Sequence, residues 1–446
     1  MTYLRTVRPL VALIGIMGLS LAAPRGLASD NGLAEKPYMG WSSWSFFRSK
    51  PTEARIKAEA DAMAAKLKIF GYTYINIDSG WSDGFDEYGR AKADPSKFPD
   101  GIAALADYVH RKGLKLGVSL SPGMPKSVWD ANSPIYGTPY HARDVSVASE
   151  NGNTLGKANR IDYTKPGAAE YVQSCANLAT SWGVDFIRMD SVGPGGGKVP
   201  ADNRPDIQHW YAALKKTGRP VWLELSESLD IRYADFWRKV SNGWSIEAGV
   251  EPLGAGHSLT NWSRVSRRFD NAPKWAAYAG PGGWNDLDSI EIGNGATDGL
   301  TPDERRTAMT LWAICCAPLS IGADLTNLDK SDFSILSNPE VIAVDQAGHV
   351  ALPISQGSAQ QVWRALNPDG TIIVALFNLG SSSASVTANW NEVGFRGGAT
   401  VRDLWSRTES GVLNKGFTAV LNPHASRLLK LTPNYKSGDV PMTLPR

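Results

Sequence analysis

The chain has 446 residues, 42% of them hydrophobic, which is enough to bury a large core and too long for one ordinary domain. Its 46 basic and 44 acidic residues are mixed along the chain and leave a net charge of +2, which gives no support to a nucleic-acid or anionic-membrane partner. Three cysteines do not make a disulfide framework, and six scattered histidines without an HExxH or Cys/His cluster predict no metal site.

The first 29 residues predict a secretory signal. Two arginines precede an apolar run over 10–22, which has the length of a signal core and is too short for a membrane span. Small residues near Ala22 or Ala28 offer cleavage points, and an uncleaved membrane anchor is the alternative interpretation. No later apolar run approaches roughly 18 residues, so we expect a secreted or periplasmic protein that does not contact the membrane after cleavage.

Between residues 30 and 347, short β-rich runs alternate with amphipathic helical stretches. Ile56, Ala60 and Met63, for example, fall on one face of a helix. Such alternation predicts parallel βαβ units, and about eight of them close into a (β/α)8 TIM barrel. The alternative is a doubly wound open sheet, but the sequence has no GxGxxG or Walker loop to support it. The β-rich runs are 72–78, 115–120, 186–190, 221–225 and 245–249.

After residue 348 the helical period disappears. Short β-rich runs separated by Gly, Asn, Ser and Pro predict an antiparallel β-sandwich domain over 348–433, followed by a polar tail over 434–446. The runs are 361–365, 371–378, 383–390, 400–405 and 425–431.

Acidic residues recur at the predicted strand ends. They are Asp78, Asp190, Glu247 and Glu251, together with the acids of WNDLD at 284–288. The C-terminal strand ends of a barrel meet at one face, so these carboxylates are expected to converge. Glycoside cleavage needs such a set, because one carboxylate attacks the sugar carbon while a second, protonated one donates to the leaving oxygen. Each acid alone is more simply a loop cap or a salt bridge, whereas the set favours catalysis.

Tryptophans near these acids indicate a carbohydrate partner. Trp44 and Trp81 flank strand ends, where an indole face can pack on the apolar face of a sugar ring. Most of the 16 tryptophans are expected in the core or at the domain interface, so these two are the predicted site residues. Glycoside hydrolysis by two carboxylates requires no cofactor.

Six segments, spread over almost the whole chain after the signal, form an ordered set of motifs. They are YMGWSSW (38–44), INIDSGW (75–81), WGVDFIRMD (182–190), GPGGWNDLD (280–288), MTLWAICCAPL (309–319) and VIAVDQA (341–347). In sequence and in order they resemble glycoside hydrolase family 27, the family of α-galactosidases and α-N-acetylgalactosaminidases. The resemblance implies the same barrel and β-domain, and removal of terminal α-D-galactosyl residues with retention by a carboxylate pair.

Carried over position by position, the resemblance assigns roles to individual residues. Asp190, at the end of the fourth strand, matches the nucleophile, and Trp44 matches the tryptophan that stacks on the sugar. Asp78 matches an acid that binds sugar hydroxyls, Asp288 the acid near the 2-position, and Glu227 a contact after the fifth strand. The predicted substrate contacts are Trp44, Asp78, Ser79, Trp81, Arg188, Glu227 and Asp288.

The chain departs from the family pattern at five positions. Arg188 replaces a Lys, which keeps the positive charge but changes its shape. Ser79 stands where the family has a second Asp, and Ser119 where it has Tyr. On the sixth strand, Ser245 replaces an Arg and Gly249 replaces the Asp that acts as acid/base, and glycine has no proton to donate.

Three explanations for Gly249 are open. Glu251, or alternatively Glu247, acts as a displaced acid/base, since strand alternation would place residues 247, 249 and 251 on one face. Otherwise the pocket is reshaped for another sugar, as in the isomalto-dextranase and β-L-arabinopyranosidase members of the family. In the third, the protein has lost catalysis and only binds glycans.

Overall fold

A computed structural model describes residues 29–252, 258–356 and 359–434. The predicted signal segment before Ser29 and the predicted tail after Asn434 lie outside the described residues. Within the described ranges, every helix is too short or too polar to span a bilayer.

Eight short parallel strands form the first sheet. They are β1 (Met39–Ser42), β2 (Tyr74–Ile77), β3 (Lys115–Leu120), β4 (Phe186–Met189), β5 (Trp222–Leu225), β6 (Gly243–Ser245), β7 (Trp284–Asp286) and β8 (Leu319–Ile321). Hydrogen bonding follows the order β7-β6-β5-β4-β3-β2-β1-β8. A parallel bridge between Ile290, just after β7, and Ile321 in β8 joins the two ends. The sheet is therefore closed, and the predicted (β/α)8 barrel is confirmed.

Helices form the outer layer of the barrel. The main ones are α1 (Glu53–Lys66), α2 (Gly101–Arg111), α3 (Ala168–Ser181), α4 (Arg204–Thr217), α5 (Ala234–Val240), α6 (Arg268–Trp275), α7 (Pro302–Cys315) and α8 (Pro339–Gln346). Local sequence sets their starts, since the Thr52 hydroxyl caps α1, and Thr301 and Glu304 form a capping box at α7. The predicted apolar face of α1 is the buried one, with Ile56 and Met63 fully covered.

Four aromatic rings close the N-terminal end of the barrel. The Tyr38 ring contacts Tyr74, Phe186 and Trp222 edge-on, with centroids 5.1 to 5.4 Å apart. All four side chains are buried. This packed floor leaves the C-terminal mouth as the end of the barrel that can receive a ligand.

The C-terminal domain is antiparallel, as predicted. Its strands are β9 (Leu352–Ser355), β10 (Gln360–Leu366), β11 (Ile372–Asn378), β12 (Ala384–Asn389), β13 (Gly398–Asp403), β14 (Thr408–Leu413), β15 (Gly416–Leu421) and β16 (Ser426–Asn434). Six of them form one sheet in the order β9-β10-β11-β16-β13-β14, and β12 pairs with β15. β9, β14 and β15 lie outside the predicted β-rich runs, and β16 runs one residue beyond the predicted domain end at 433.

The β-domain packs against the barrel through one face of its larger sheet. Trp363 and Phe377 are fully buried in the same core as the barrel side chains. The ring of Phe377 meets that of Phe269 on α6 edge-on, with centroids 4.8 Å apart. The domain thereby braces the helix that lies next to the segment after β6.

Candidate active site

Charged side chains gather at the C-terminal mouth of the barrel. Asp78 follows β2, Arg188 lies in β4 and Asp190 follows it, Asp286 ends β7, and Asp288 lies two residues further on. Because the strands are parallel, their C-terminal ends lie at one face. The structure thus brings together acids that are more than 200 residues apart in the chain.

Arg188 links three of these carboxylates. Its Nε lies 3.6 Å from Oδ2 of Asp78, its Nη1 3.4 Å from Oδ2 of Asp286, and its Nη2 3.8 Å from Oδ1 of Asp288. Nη2 also donates to the hydroxyl of Ser226 at 2.9 Å. A planar guanidinium can face several acids at once, whereas an ammonium is a single point charge, so the arginine fits this network better than the lysine of the family pattern.

Burial disfavours charge throughout this cluster. It works against the charge of Arg188, but the surrounding carboxylates outweigh it and raise the pKa of Arg188 further above its ordinary range. Burial also raises the pKa of Asp78 and of Asp286, and the positive charge of Arg188 limits both increases. The protonation of these groups is therefore coupled.

Asp190 is held on a rigid strand end and faces open space. Its backbone N–H donates to the carbonyl of Leu120 at 2.7 Å, which continues the pairing of β4 with β3. The Ser191 hydroxyl lies 3.3 Å from its Oδ2 as a donor. The side chain is partly exposed and lines a cavity of 390 Å³, as do Ser79 and Trp81. A fixed, accessible carboxylate is what nucleophilic attack requires.

Two of the predicted binding residues have left-handed backbone. Glu227 has φ 108° and Asp288 has φ 74°. Such conformations cost roughly 1–3 kcal/mol each in non-glycine residues and cluster at functional sites. Burial, and then the charge of Asp190, raise the pKa of Glu227, whereas the charge of Arg188 opposes the increase. The half-buried carboxyl of Glu227 therefore lies within electrostatic reach of the nucleophile position.

The two predicted tryptophans have different environments. Trp44 begins a short helix (Trp44–Phe47) and is partly exposed, with the guanidinium of Arg48 5.6 Å from its ring centre. Trp81 is only 2% exposed, and its Nε1 donates to the carbonyl of Ser119 at 2.9 Å. Its ring also meets that of Trp182 edge-on at 5.9 Å. Trp81 is therefore a fixed wall of the cavity, whereas the ring of Trp44 is partly open to solvent.

Glu251 occupies the space beside Gly249. A Cβ atom added to Gly249 would lie 3.0 Å from Oε2 of Glu251 and 3.4 Å from Oδ2 of Asp288. Gly249 does not have left-handed backbone, so an ordinary side chain could start in that direction. The carboxyl of Glu251 thus lies where an aspartate at position 249 would project.

The surroundings of Glu251 favour its protonated form. The carboxyl is buried at 6% exposure and accepts a hydrogen bond from the hydroxyl of Ser45. Burial, and then the charge of Asp288, raise its pKa to about 7, although the Ser45 hydrogen bond works against the increase. Glu291 is a further buried carboxyl near Glu251, and burial followed by the charge of Glu251 raises its pKa well above the ordinary range. Because its pKa is about 7, the Glu251 carboxyl can both donate and accept a proton near neutral pH.

Glu247 lies in a different arrangement from the one predicted. β6 ends at Ser245, and the Ile246 N–H still donates to the carbonyl of Asp286 on β7, but residues 247–249 are not part of the strand. The prediction of a strand over 245–249 is therefore wrong, and alternation along it does not place residues 247, 249 and 251 on one face. The Glu247 carboxyl accepts hydrogen bonds from the Asn271 side chain and from the N–H of Ala248. This carboxyl is thus held by α6.

Some residues of the site were missed by the sequence analysis. Asp286 is 1% exposed, and its Oδ2 accepts from the Ser245 hydroxyl at 2.9 Å. Its Oδ1 accepts from the N–H of Asp288 at 2.7 Å. Position 286 lies in the acid-rich segment WNDLD, so the sequence contains a signal for Asp286. The contact of Ser45 with Glu251 has no such signal, because the two residues lie 206 positions apart in the chain. Among the described residues, no group of three or more His, Cys, Asp or Glu side chains is arranged to hold a metal ion.

Comparison with known proteins assigns the chain to a known family. A family model described as alpha galactosidase A matches residues 36–128 and 153–347, and one for the alpha-galactosidase C-terminal β-sandwich domain matches 357–431. Alpha-galactosidase 2 of Arabidopsis thaliana is 34% identical over 409 residues, covering 90% of this chain and 91% of the relative.

Solved structures give the same assignment. A GH27 β-L-arabinopyranosidase from Geobacillus stearothermophilus superposes with a TM-score of 0.83 at 29% identity, covering 91% of this chain and 98% of that one. Alpha-galactosidase I of Mortierella vinacea superposes with a TM-score of 0.73 at 29% identity, covering 90% and 98%. The chain therefore belongs to glycoside hydrolase family 27, the family of the α-galactosidases, and is a glycosidase of the α-galactosidase type.

Proposed function

We propose that this protein removes terminal α-D-galactosyl residues from oligo- or polysaccharides with retention of configuration. In this reaction Asp190 attacks the anomeric carbon and forms a covalent glycosyl-enzyme, and Glu251 protonates the leaving oxygen. Glu251 then takes a proton from water, which hydrolyses the intermediate. The observation that carries the proposal is the carboxyl of Glu251 beside Gly249, because it supplies the acid that the sequence pattern lacks.

The electrostatic environment supports these two roles. Asp190 is partly exposed at the strand end and lies within electrostatic reach of the positive charge of Arg188. Burial and the neighbouring Asp288 raise the pKa of Glu251 to about 7, so a large fraction of this carboxyl carries its proton at neutral pH. Two carboxyl groups whose environments differ in this way are what a retaining glycosidase uses, at a separation of roughly 5–5.5 Å.

The remaining predicted residues are proposed to bind the galactosyl ring. Trp44 has a partly exposed ring available for stacking. The carboxyls of Asp78, Asp288 and Glu227 and the guanidinium of Arg188 offer acceptors and donors for its hydroxyls. Further contacts are proposed for Ser79 and Trp81.

The β-L-arabinopyranosidase neighbour favours a second candidate activity. β-L-arabinopyranose has the ring configuration of α-D-galactopyranose without the hydroxymethyl group, so one site can accept both. The shared carboxylate pair would carry out the same chemistry on the smaller sugar.

A panel of p-nitrophenyl glycosides tests these proposals. The purified protein is expected to hydrolyse the α-galactoside faster than the β-L-arabinopyranoside and the α-glucoside. Asp190→Asn should lower kcat/KM at least about 10⁴-fold while keeping the fold. Faster turnover of the arabinopyranoside would establish the second candidate instead. Absence of turnover with all three substrates, combined with galactose binding, would show a glycan-binding protein.

We also propose that the protein is exported, on the basis of its N-terminal segment. The first 29 residues carry the charge and apolar pattern of a signal. N-terminal sequencing of protein produced in its own host should find cleavage near Ala22 or Ala28. An uncleaved N-terminus would contradict export by this route.

A further inference from the structure

The cavity beside Asp190 extends well past the acid cluster. Its 390 Å³ lie between the C-terminal ends of β2, β3 and β4 and the inner faces of α3 and α4. This is within the usual range of roughly 300–1,000 Å³ for small-molecule pockets. Ser79, Ser119 and Asp190 line the cavity on the side of the acid cluster, and Tyr171, Trp182 and Trp210 line it on the side of the helices.

The walls suit a neutral sugar. Trp81 and Trp182 meet edge-on, and the indole N–H of Trp81 is fixed to the backbone at Ser119, so the aromatic surface is preformed. The exposed Ser121 hydroxyl provides a donor and an acceptor, whereas the buried Asn153 amide is bonded to the backbone of Pro122 and Lys157 and fixes the wall. Aromatic faces combined with a few placed polar groups are typical of carbohydrate recognition.

The lining has few unbalanced charges. Asp190 is the only acidic residue on it among the described residues, and Arg90 on the inner wall is paired with Asp86 at 2.8 Å. Lys126 and Lys157 lie exposed at the rim. An uncharged occupant therefore fits the inner space better than an anion does.

Two small side chains, Ser79 and Ser119, line the cavity on the side of Asp190. The family pattern has Asp and Tyr at the positions of Ser79 and Ser119, and both serines line the cavity. Ser119 is 8% exposed, pairs with Arg188 across β3 and β4 and lines the cavity together with Asp190, so a tyrosine at 119 would occupy part of this cavity. With serine at both positions, the cavity therefore extends up to the side chain of Asp190.

The candidate acid, Glu251, and the cavity lie on different sides of the C-terminal mouth of the barrel. Glu251 contacts Ser45 after β1 and lies beside Gly249 after β6 and Asp288 after β7. The cavity lies at β2, β3 and β4. Because the leaving oxygen must be next to the acid, the aglycone leaves on the Glu251 side. A group that enters the cavity must therefore belong to the glycone.

We propose that the cavity is a subsite for a second, neutral sugar unit carried by the galactosyl residue. This inference rests on the proposed function and names its substrate class. Hydrolysis of the bond to the leaving group then consumes one water and releases a disaccharide that contains the galactose. The enzyme thereby accepts substituted galactosyl ends as well as unsubstituted ones.

The test compares p-nitrophenyl α-galactoside with its 4-O-hexosyl and 6-O-hexosyl derivatives. We expect wild type to release the intact disaccharide from at least one derivative, with a kcat/KM within about 10-fold of the parent. Leu178→Trp would fill the cavity from α3, and Ser121→Trp would block it from the exposed rim. Each should reduce hydrolysis of that derivative about 10²-fold and change the parent reaction less than about 3-fold. Leu178→Met, which keeps the volume, is the matched control.

The outcomes separate the two proposals. Hydrolysis of the parent with no release from either derivative would overturn the subsite and leave the proposed function intact. Release that is insensitive to Ser121→Trp and to a folded Leu178→Trp would also overturn it, as would a requirement for an anionic uronosyl extension in place of the hexosyl one. If the parent galactoside is not hydrolysed at all, the proposed function itself fails.

Discussion

The two sides of the barrel mouth differ in how closely they follow the family pattern. After β2 and β4, Asp78 and Asp190 stand at their expected positions, and Arg188 joins Asp78 to the acids of β7. After β6, Gly249 has replaced the expected acid, and Glu251 reaches the same region from two residues further along the chain. The acids after β2 and β4 can be recognised from their sequence motifs, whereas the carboxyl beside Gly249 can be recognised only in the three-dimensional structure.

If Glu251 has the proposed role, a catalytic proton donor is fixed by where its carboxyl lies in the site and not by its place in a motif. At the end of β4 the backbone of Asp190 is fixed, because its N–H donates to the carbonyl of Leu120. The segment after β6 is irregular, so a carboxyl can be supplied from a neighbouring position when the backbone allows it. Burial then gives the carboxyl of Glu251 its raised pKa of about 7.

The largest effect is expected when the two glutamates after β6 are compared. Glu251→Gln should lower kcat/KM for an α-galactoside with a poor leaving group about 10²–10⁴-fold, because the proton donor is removed. Glu247→Gln is the matched control and should lower it less than about 3-fold, since Glu247 is bonded to Asn271. Steady-state kinetics on both variants measure this. A greater loss in Glu247→Gln would reverse the assignment.

Restoring the family residue tests the comparison in the opposite direction. In Glu251→Gln, adding Gly249→Asp should recover activity by about 10-fold or more, because the new carboxyl projects toward the same space. In the wild-type background Gly249→Asp should be harmful, since its Cβ would lie 3.0 Å from the Glu251 carboxyl. Gly249→Asn in Glu251→Gln is the control. Equal recovery by Asn and Asp would contradict a role in proton transfer.

The fold was largely predictable, because it depends on patterns that repeat. Alternating β-rich and amphipathic segments gave the barrel, and Ile56 and Met63 show that the helical period identified buried faces. The missed strand β14 is exposed at five of its six residues, so it lacks the alternation of a half-buried strand. In β15 burial does alternate, but Val420 on its exposed face is apolar, so the sequence does not show the alternation.

The site was predictable only where its residues directly follow strands. Asp78 and Asp190 could be found in this way. β6 ends at Ser245, where its register with β7 ends, and the local sequence SIEAG does not show this because the pairing partner lies on another strand. The contact of Ser45 with Glu251 joins residues 206 positions apart, so only tertiary structure brings them together.

The pH dependence of activity gives a smaller effect that still separates the two sides. In the proposed mechanism Glu251 acts in its protonated form, so kcat/KM should be high below its pKa of about 7 and fall as the pH rises through that value. Above it, the decrease should approach about 10-fold per pH unit. The residual activity of Glu251→Gln should lose this alkaline limb. An unchanged limb in that variant would assign it to another group.

The smallest expected effect concerns the hydroxyls of Ser43 and Ser45. The Ser45 hydroxyl donates to Glu251 and stabilises its charged form, so Ser45→Ala should move the alkaline limb upward by less than about one pH unit. Ser43 accepts from the N–H of Asp78 on the other side of the mouth at 2.9 Å, and Ser43→Ala should leave that limb in place even if the overall rate falls. pH–rate profiles of the two variants measure the difference. If both substitutions displaced the limb equally, the two sides would titrate as one unit, and the separate role of Glu251 as the proton donor would be lost.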